Sequence, residues 1–173
     1  LLANSVFSDG AAAVIVNNRE PAAGQRALEL KHFACSLARE GEEDMAWDIG
    51  DRGFNIVLSK YVAKIIGAGI EGIVSDILSR FDLSLDDIQT WAVHPGGKSI
   101  LDKIETSLRI EEPQLASSRN VLANFGNMSS VTILFILAEI LQSGETRDGE
   151  KICAMAFGPG LTIETAVLKA IVS

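Results

Sequence analysis

Apolar residues recur along the chain with two different periods, which predict strands alternating with helices. Extended or alternating apolar runs predict strands at 11–16, 28–35, 90–93, 152–157 and 161–168. Helical spacing predicts helices at 59–81, 98–108, 119–125 and 131–141. The acidic stretch at 39–53 is predicted to be a loop that packs partly inward through Trp47 and Ile49. This order of elements is typical of an α/β layered domain with a mostly parallel sheet and a closing strand pair.

The predicted helix at 131–141 has a different composition from the others. Its residues are apolar all round apart from Thr132 and Glu139, which predicts burial on every side. A bilayer requires roughly twenty apolar residues in a helix, so this run is too short to span one. We therefore expect a central core helix, and no membrane partner.

Composition narrows the class of protein further. The chain has 173 residues, enough for one domain, and 15 Lys and Arg against 23 Asp and Glu, which makes the net charge −8. No basic cluster is available for a phosphate backbone, so nucleic acid is not an expected partner.

Cys35 and Cys153 lie far apart in predicted strands, where we expect buried packing in a reduced, cytoplasmic protein. The chain opens on Leu1 without an initiator Met, as expected for a piece of a longer protein.

His94 is the first candidate for chemistry. It directly follows a predicted buried strand, where open α/β sheets place ligand-binding groups, and Pro95-Gly96-Gly97 permits a sharp turn after it. An imidazole can exchange a proton near neutral pH or donate a hydrogen bond to an oxyanion. Taken alone, a histidine before a turn is more often structural, which is also the role expected of His32 inside its strand.

Asn127 is the second candidate. Gly126-Asn127-Met128-Ser129-Ser130 places an amide at the mouth of the predicted core helix, where it could stabilise an enolate or a tetrahedral oxyanion. Asn and Ser are also favoured as helix caps, and the motif by itself favours capping.

The turn Gly158-Pro159-Gly160 is the third candidate. It joins two predicted strands and lacks the strand-to-helix setting of a phosphate loop, which argues against nucleotide binding. The expected role is to shape the wall of a pocket.

Four motifs in this order closely resemble the C-terminal half of a type III polyketide synthase, the chalcone synthase family. They are FSDGAAA at 7–13, WAVHPGG at 91–97, FGNMSS at 125–130 and FGPGLTIET at 157–165. The resemblance spans nearly the whole chain. The His-Pro-Gly-Gly motif distinguishes this family from the related ketoacyl-ACP synthase III enzymes, which share the His and the Asn in different surroundings.

The resemblance implies a fold, an assembly and an activity. The fold would be thiolase-like, with residues 1–173 forming the C-terminal half of an αβαβα sandwich that has a mostly parallel, mixed five-stranded sheet and a buried central helix. The family consists of homodimers that acylate a cysteine with a starter acyl-CoA and then extend it with malonyl-CoA by decarboxylative Claisen condensation. The resemblance implies no metal and no cofactor beyond the CoA thioester substrates.

The resemblance also implies roles for particular residues. His94 and Asn127 match two members of the family's Cys-His-Asn triad, and Phe7 matches a gatekeeping phenylalanine. Ile56 stands where the family has a second gatekeeping phenylalanine, if the spacing back from His94 is ungapped. Further residues that match the substrate cavity are Gly97, Ser129, Gly158, Pro159 and Gly160.

The family nucleophile lies in the N-terminal half, upstream of the Asp-Gly-Ala-Ala motif, so this chain would supply His and Asn without the Cys. We therefore expect it to be inactive alone and to need the N-terminal half of the same enzyme. Two alternatives remain at this point. One is a condensing domain similar to ketoacyl-ACP synthase III, and the other is a non-catalytic thiolase-fold dimerisation module.

Overall fold

The computed structural model describes residues 5–38, 41–59 and 61–172 of the chain. Its helices, numbered in chain order, are α1 (Val62–Ser79), α2 (Lys98–Leu108), α3 (Ala116–Phe125) and α4 (Val131–Gln142). Its strands are β1 (Arg26–Leu37), β2 (Met45–Gly50), β3 (Gly53–Leu58), β4 (Thr90–Val93), β5 (Lys151–Gly158) and β6 (Thr162–Val172). The predicted α/β class is confirmed, and helices α2 and α4 begin where their apolar spacing predicts.

The main sheet differs from the prediction in size and in strand direction. Over the described residues it is four-stranded, in the order β1-β6-β5-β4, rather than five-stranded. Only β4 and β5 are parallel, whereas β6 runs antiparallel to both β5 and β1. The sheet is mixed, as predicted, but it is not mostly parallel. The physical reason is the short 159–161 connection, because two strands joined by a tight turn can only pair antiparallel.

The stretch predicted to be a loop contains strand β2 instead. It pairs antiparallel with β3 in a separate hairpin, in which Trp47 lies opposite Ile56. Alternating apolar residues and the tight turn at Asp51 and Arg52 favour this hairpin over a loop. Trp47 and Ile49 are exposed, so the prediction that they pack inward was wrong.

The predicted strand at 11–16 is absent from the structure. These residues form no ladder with any described strand, and Ile15 is 90% exposed. A β-branched run forms a strand only when a neighbouring strand satisfies its backbone groups, and no described segment does so here.

Helices cover the main sheet on both faces. Helices α1 and α2 pack on one face against a cluster that includes Trp91 and Val93 of β4. Helix α4 packs on the other face, where Ile136 and Ile140 share a cluster with Ala92. The core position of α4 is confirmed, but only one side of it is fully buried, because several of its apolar residues remain partly exposed.

The two cysteines differ in their surroundings. Cys153 is fully buried in β5, and burial raises the pKa of its thiol to about 12. Cys35 is exposed, so the prediction of buried packing was wrong for this residue. It lies on the part of β1 whose outward side chains no described helix covers. No helix in the described part of the chain is both long and apolar enough to cross a membrane.

Candidate active site

His94 lies at the carboxyl end of β4. Its backbone N–H donates a hydrogen bond to the carbonyl of Met155 in β5 (2.8 Å), so the sheet ladder continues one residue past the strand. The backbone then turns, with the N–H of Gly96 donating to the His94 carbonyl (3.2 Å), and Gly97 leads into α2. The rigid sheet therefore fixes the backbone from which the imidazole projects.

The imidazole of His94 is buried and only 8% exposed. Burial lowers its pKa from 6.5 to about 4, because a charged ring would lose its hydration. No described residue forms a hydrogen bond with either ring nitrogen. At neutral pH the ring is therefore uncharged and can donate one hydrogen bond and accept another.

Asn127 lies in the loop between α3 and α4 and is 3% exposed. Its side-chain oxygen Oδ1 accepts a hydrogen bond from the backbone N–H of Ser129 (2.9 Å). This contact orients the amide, because the group left over, Nδ2, can only donate. Ser129 has a positive φ of 58°, an uncommon conformation for a residue other than glycine. Ser130 at the N-cap of α4 makes no side-chain capping bond, whereas the bond from Ser129 to Asn127 is a local side-chain-to-backbone contact of the kind that the capping interpretation predicts.

The segment around Phe7 packs against this loop. The N–H of Asn127 donates to the carbonyl of Val6 (2.9 Å), and the N–H of Ser8 donates to the carbonyl of Asn127 (2.9 Å). The side chain of Ser8 also donates to the carbonyl of Phe125. These bonds place Phe7, which is partly exposed, directly beside Asn127.

Residues next to His94 and next to Asn127 belong to one apolar cluster. Side chains alternate along a strand, so His94 continues the face of Ala92, two residues earlier. Ala92 shares its cluster with Met128, which directly follows Asn127. The segments that carry the two candidate residues thus both adjoin the cluster that α4 forms with the sheet.

The turn at Gly158, Pro159 and Gly160 lies at the same edge of the sheet as His94. Strands β4 and β5 are parallel, so their carboxyl ends coincide, and the turn begins at the end of β5. Gly160 has a φ of 72°, a conformation that favours glycine. The position of the turn is therefore compatible with the predicted cavity wall.

Ile56 lies outside this group, on the β2–β3 hairpin, and is 45% exposed. Strand β2 packs against the 159–161 turn, so the hairpin is adjacent to the candidate site. Ile56 and Trp47 form one apolar surface of the hairpin, which continues outward from Met45 and Leu58, two partly buried residues that pack against the core.

Two buried hydroxyls also contact this site, although the motifs single out neither of them. Ser118 accepts a hydrogen bond from the N–H of Val93, next to His94 (2.9 Å). Thr132 accepts one from the N–H of Met128, next to Asn127 (2.8 Å). Both lie in the first turn of a helix; only in α4, which is otherwise apolar there, does the small polar residue provide a sequence signal. No cluster of three or more metal-ligating side chains occurs among the described residues.

Comparison with known proteins identifies the family. Residues 29–172 match the family described as chalcone and stilbene synthases, C-terminal domain. The chain belongs to this family, which confirms the resemblance to the C-terminal half of a type III polyketide synthase and its thiolase-like fold. A protein of Bacillus subtilis (strain 168) named "Putative chalcone synthase" is 32% identical over 170 residues, which cover 95% of this chain and 46% of the relative.

Two solved structures are similar to the chain. PKS-I from the brown alga Ectocarpus siliculosus has a TM-score of 0.77 and 27% identity, over 90% of this chain and 42% of that one. The C-terminal type III polyketide synthase domain of Steely1, a type I/III hybrid from Dictyostelium, has a TM-score of 0.73 and 32% identity, over 82% of this chain and 40% of that one. The chain thus spans less than half the length of each relative.

Proposed function

We propose that this chain is the catalytic C-terminal domain of an enzyme that condenses a starter acyl-CoA with malonyl-CoA. The orientation of Asn127 carries the proposal. Because Ser129 occupies its Oδ1 atom, the amide is left with N–H donors, and the buried ring of His94 is uncharged. Two neutral donors fixed on rigid backbone suit a developing oxyanion, which they stabilise without reorganising.

In the proposed reaction, the starter is first held as a thioester on a cysteine of the N-terminal half. The C–C bond between the malonyl methylene and its carboxylate then breaks and releases CO₂. The electron pair forms an enolate, whose oxygen His94 and Asn127 hold through N–H donors. The enolate carbon attacks the acyl thioester, a C–C bond forms, and the cysteine leaves as a thiolate.

The surrounding residues suggest how the site selects a starter. We assign Phe7, Gly97, Ser129 and the Gly158-Pro159-Gly160 turn to the cavity wall. Ile56 would shape the entrance, since its hairpin packs beside that turn. An aliphatic side chain there leaves a different outline from the family's phenylalanine, so Ile56→Phe is expected to change the ranking of acyl-CoA starters.

The proposal includes the assembly and the location implied by the family. The enzyme would be a cytoplasmic homodimer that binds acyl-CoA and malonyl-CoA and needs no metal or further cofactor. The 173-residue chain on its own would not condense substrates, because the nucleophile belongs to the other half. Light scattering of the complete enzyme tests the dimer directly.

Separate measurement of starter loading and of CO₂ release tests the chemistry in the complete enzyme. Removing one oxyanion donor costs about 100- to 1000-fold in comparable sites, so His94→Ala and Asn127→Ala are expected to slow malonyl-CoA decarboxylation by at least that order. Asn124→Ala is the matched control, since Asn124 is an exposed asparagine of α3. Normal decarboxylation in both site variants would instead favour a non-catalytic thiolase-fold module.

A further inference from the structure

Ser118 occupies the open edge of β4. The strand is at the edge of the described sheet, so its outer backbone groups have no strand partner. The N–H of His94 points inward to Met155, and the N–H of Val93 therefore points outward. It donates to Ser118 Oγ (2.9 Å), which also lies 3.5 Å from the carbonyl of Trp91 on the same edge. The fully buried hydroxyl of Ser118 thus supplies the hydrogen-bond acceptor that a neighbouring strand would otherwise provide to the residue before His94.

Thr132 holds the loop of Asn127 in a similar way. Its Oγ1 accepts a hydrogen bond from the N–H of Met128 (2.8 Å), and its own N–H donates to the carbonyl of Ser129 (3.1 Å). The side chain is fully buried in the first turn of α4. Because the N–H of Ser129 in turn orients the Asn127 amide, the direction of that amide depends on backbone that Thr132 fixes.

We propose that Ser118 and Thr132 are positioning residues, which fix the backbone beside His94 and beside Asn127 without contacting the substrate. The inference rests on the proposed function, since it concerns the geometry of that reaction. Without its hydroxyl partner, the buried N–H of Val93 or Met128 must find another acceptor, and the peptide has to rotate to do so. A rotation there redirects the neighbouring side chain.

Thr146 provides a matched control for a purely structural role. It is also buried, and its Oγ1 donates to the carbonyl of Ile140 (3.0 Å), at the opposite end of α4. Thr146→Val therefore removes a buried bond between a threonine hydroxyl and the backbone at a distance from the candidate site, although here the hydroxyl is the donor. Thr132→Val removes the hydroxyl that accepts from the backbone beside Asn127, and it makes the same change of side chain with the same retained volume.

The test measures malonyl-CoA decarboxylation and starter loading in the complete enzyme. Displacing a reacting group by about 1 Å can cost on the order of 100-fold, so we expect kcat for decarboxylation to fall about 10- to 100-fold in Thr132→Val and in Ser118→Ala. Starter loading and the KM for malonyl-CoA should change little. Thr132→Ser, which retains the hydroxyl, should restore most of the rate, and Thr146→Val should keep the native rate.

Double variants show whether each hydroxyl acts through its neighbour. In an Asn127→Ala background, Thr132→Val should lower the rate no further, and the same holds for Ser118→Ala in a His94→Ala background. Equal rates for Thr132→Val and Thr146→Val, or rate losses that multiply in the double variants, would overturn the inference. If Thr132→Val does not fold, Ser118→Ala is compared with Thr146→Val and with the double variant Ser118→Ala, His94→Ala, and the same two outcomes decide.

The two proposals fail in distinguishable ways. If His94→Ala and Asn127→Ala leave decarboxylation unchanged, the proposed function is wrong, and the inference is overturned with it. If both abolish the reaction while Ser118→Ala and Thr132→Val match Thr146→Val, only the positioning roles are wrong.

Discussion

Replacing His94 with glutamine measures how strongly the fold excludes charge from the candidate site. The pKa of the imidazole is lowered to about 4 in the folded chain by burial, whereas 6.5 is its ordinary value in an unfolded chain. Between these two pH values the unfolded chain binds more protons than the folded chain. The stabilising contribution of the neutral ring is therefore complete above pH 6.5 and is lost as the pH falls towards about 4.

The magnitude follows from the size of that pKa difference. One pKa unit corresponds to about 1.4 kcal/mol, so the free energy of unfolding should fall by roughly 3 kcal/mol between pH 7.5 and pH 4 because of His94 alone. Carboxylates titrate in the same range, but they are common to the native chain and to His94→Gln. The difference in unfolding free energy between the two proteins isolates the contribution of the histidine.

Urea unfolding at a series of pH values provides the measurement. The fluorescence of Trp91, which is buried in the main sheet, reports the transition. The native chain should lose roughly 3 kcal/mol relative to His94→Gln as the pH falls from 7.5 to 4. A difference that stays constant across this range, or a folded-state NMR titration of the His94 ring near pH 6.5, would refute the reasoning.

Three further predictions concern the core, the thiols and the Asn127 loop. Leu101→Ala removes a fully buried side chain and should lower the free energy of unfolding by about 2–5 kcal/mol in urea titrations, so a loss well under 1 kcal/mol would contradict the packing. Iodoacetamide should alkylate Cys35 in the native chain and leave Cys153 unmodified, and mass spectrometry after partial labelling would show any exception. Gly126→Ala should destabilise the chain and slow decarboxylation in the complete enzyme, because φ is 75° and the added Cβ would lie 2.9 Å from the Oγ of Ser8. Native stability and rate in that variant would show that the loop tolerates a different path.

Several elements are predictable because their patterns are local. The apolar spacing at 98–108 coincides with α2, and the short apolar run at 90–93 coincides with β4. Burial of α4 also follows from its composition, although only one side of it is fully covered. In each case the apolar residues whose spacing predicts the element are also the residues that pack into the core, so sequence periodicity and packing agree.

Other elements depend on partners distant in sequence. The run at 11–16 has strand composition, but no described segment pairs with it, and it stays exposed and without regular secondary structure. The stretch containing Trp47 has loop-like composition, but pairing with β3 makes it a strand. Cys35 has apolar neighbours in sequence, but whether it is buried depends on what covers that part of β1.

The sequence by itself determined the family, the α/β class and the identity of the candidate residues His94 and Asn127, because short motifs contain that information locally. The tertiary structure alone decided that the sheet is mixed, that the His94 ring is uncharged at neutral pH, and that the N–H of Ser129 occupies Oδ1 of the Asn127 amide. Those properties arise from burial and from hydrogen bonds between distant segments. The hydroxyls of Ser118 and Thr132 show this most clearly, since each meets the backbone beside a candidate residue only after the helices pack on the sheet.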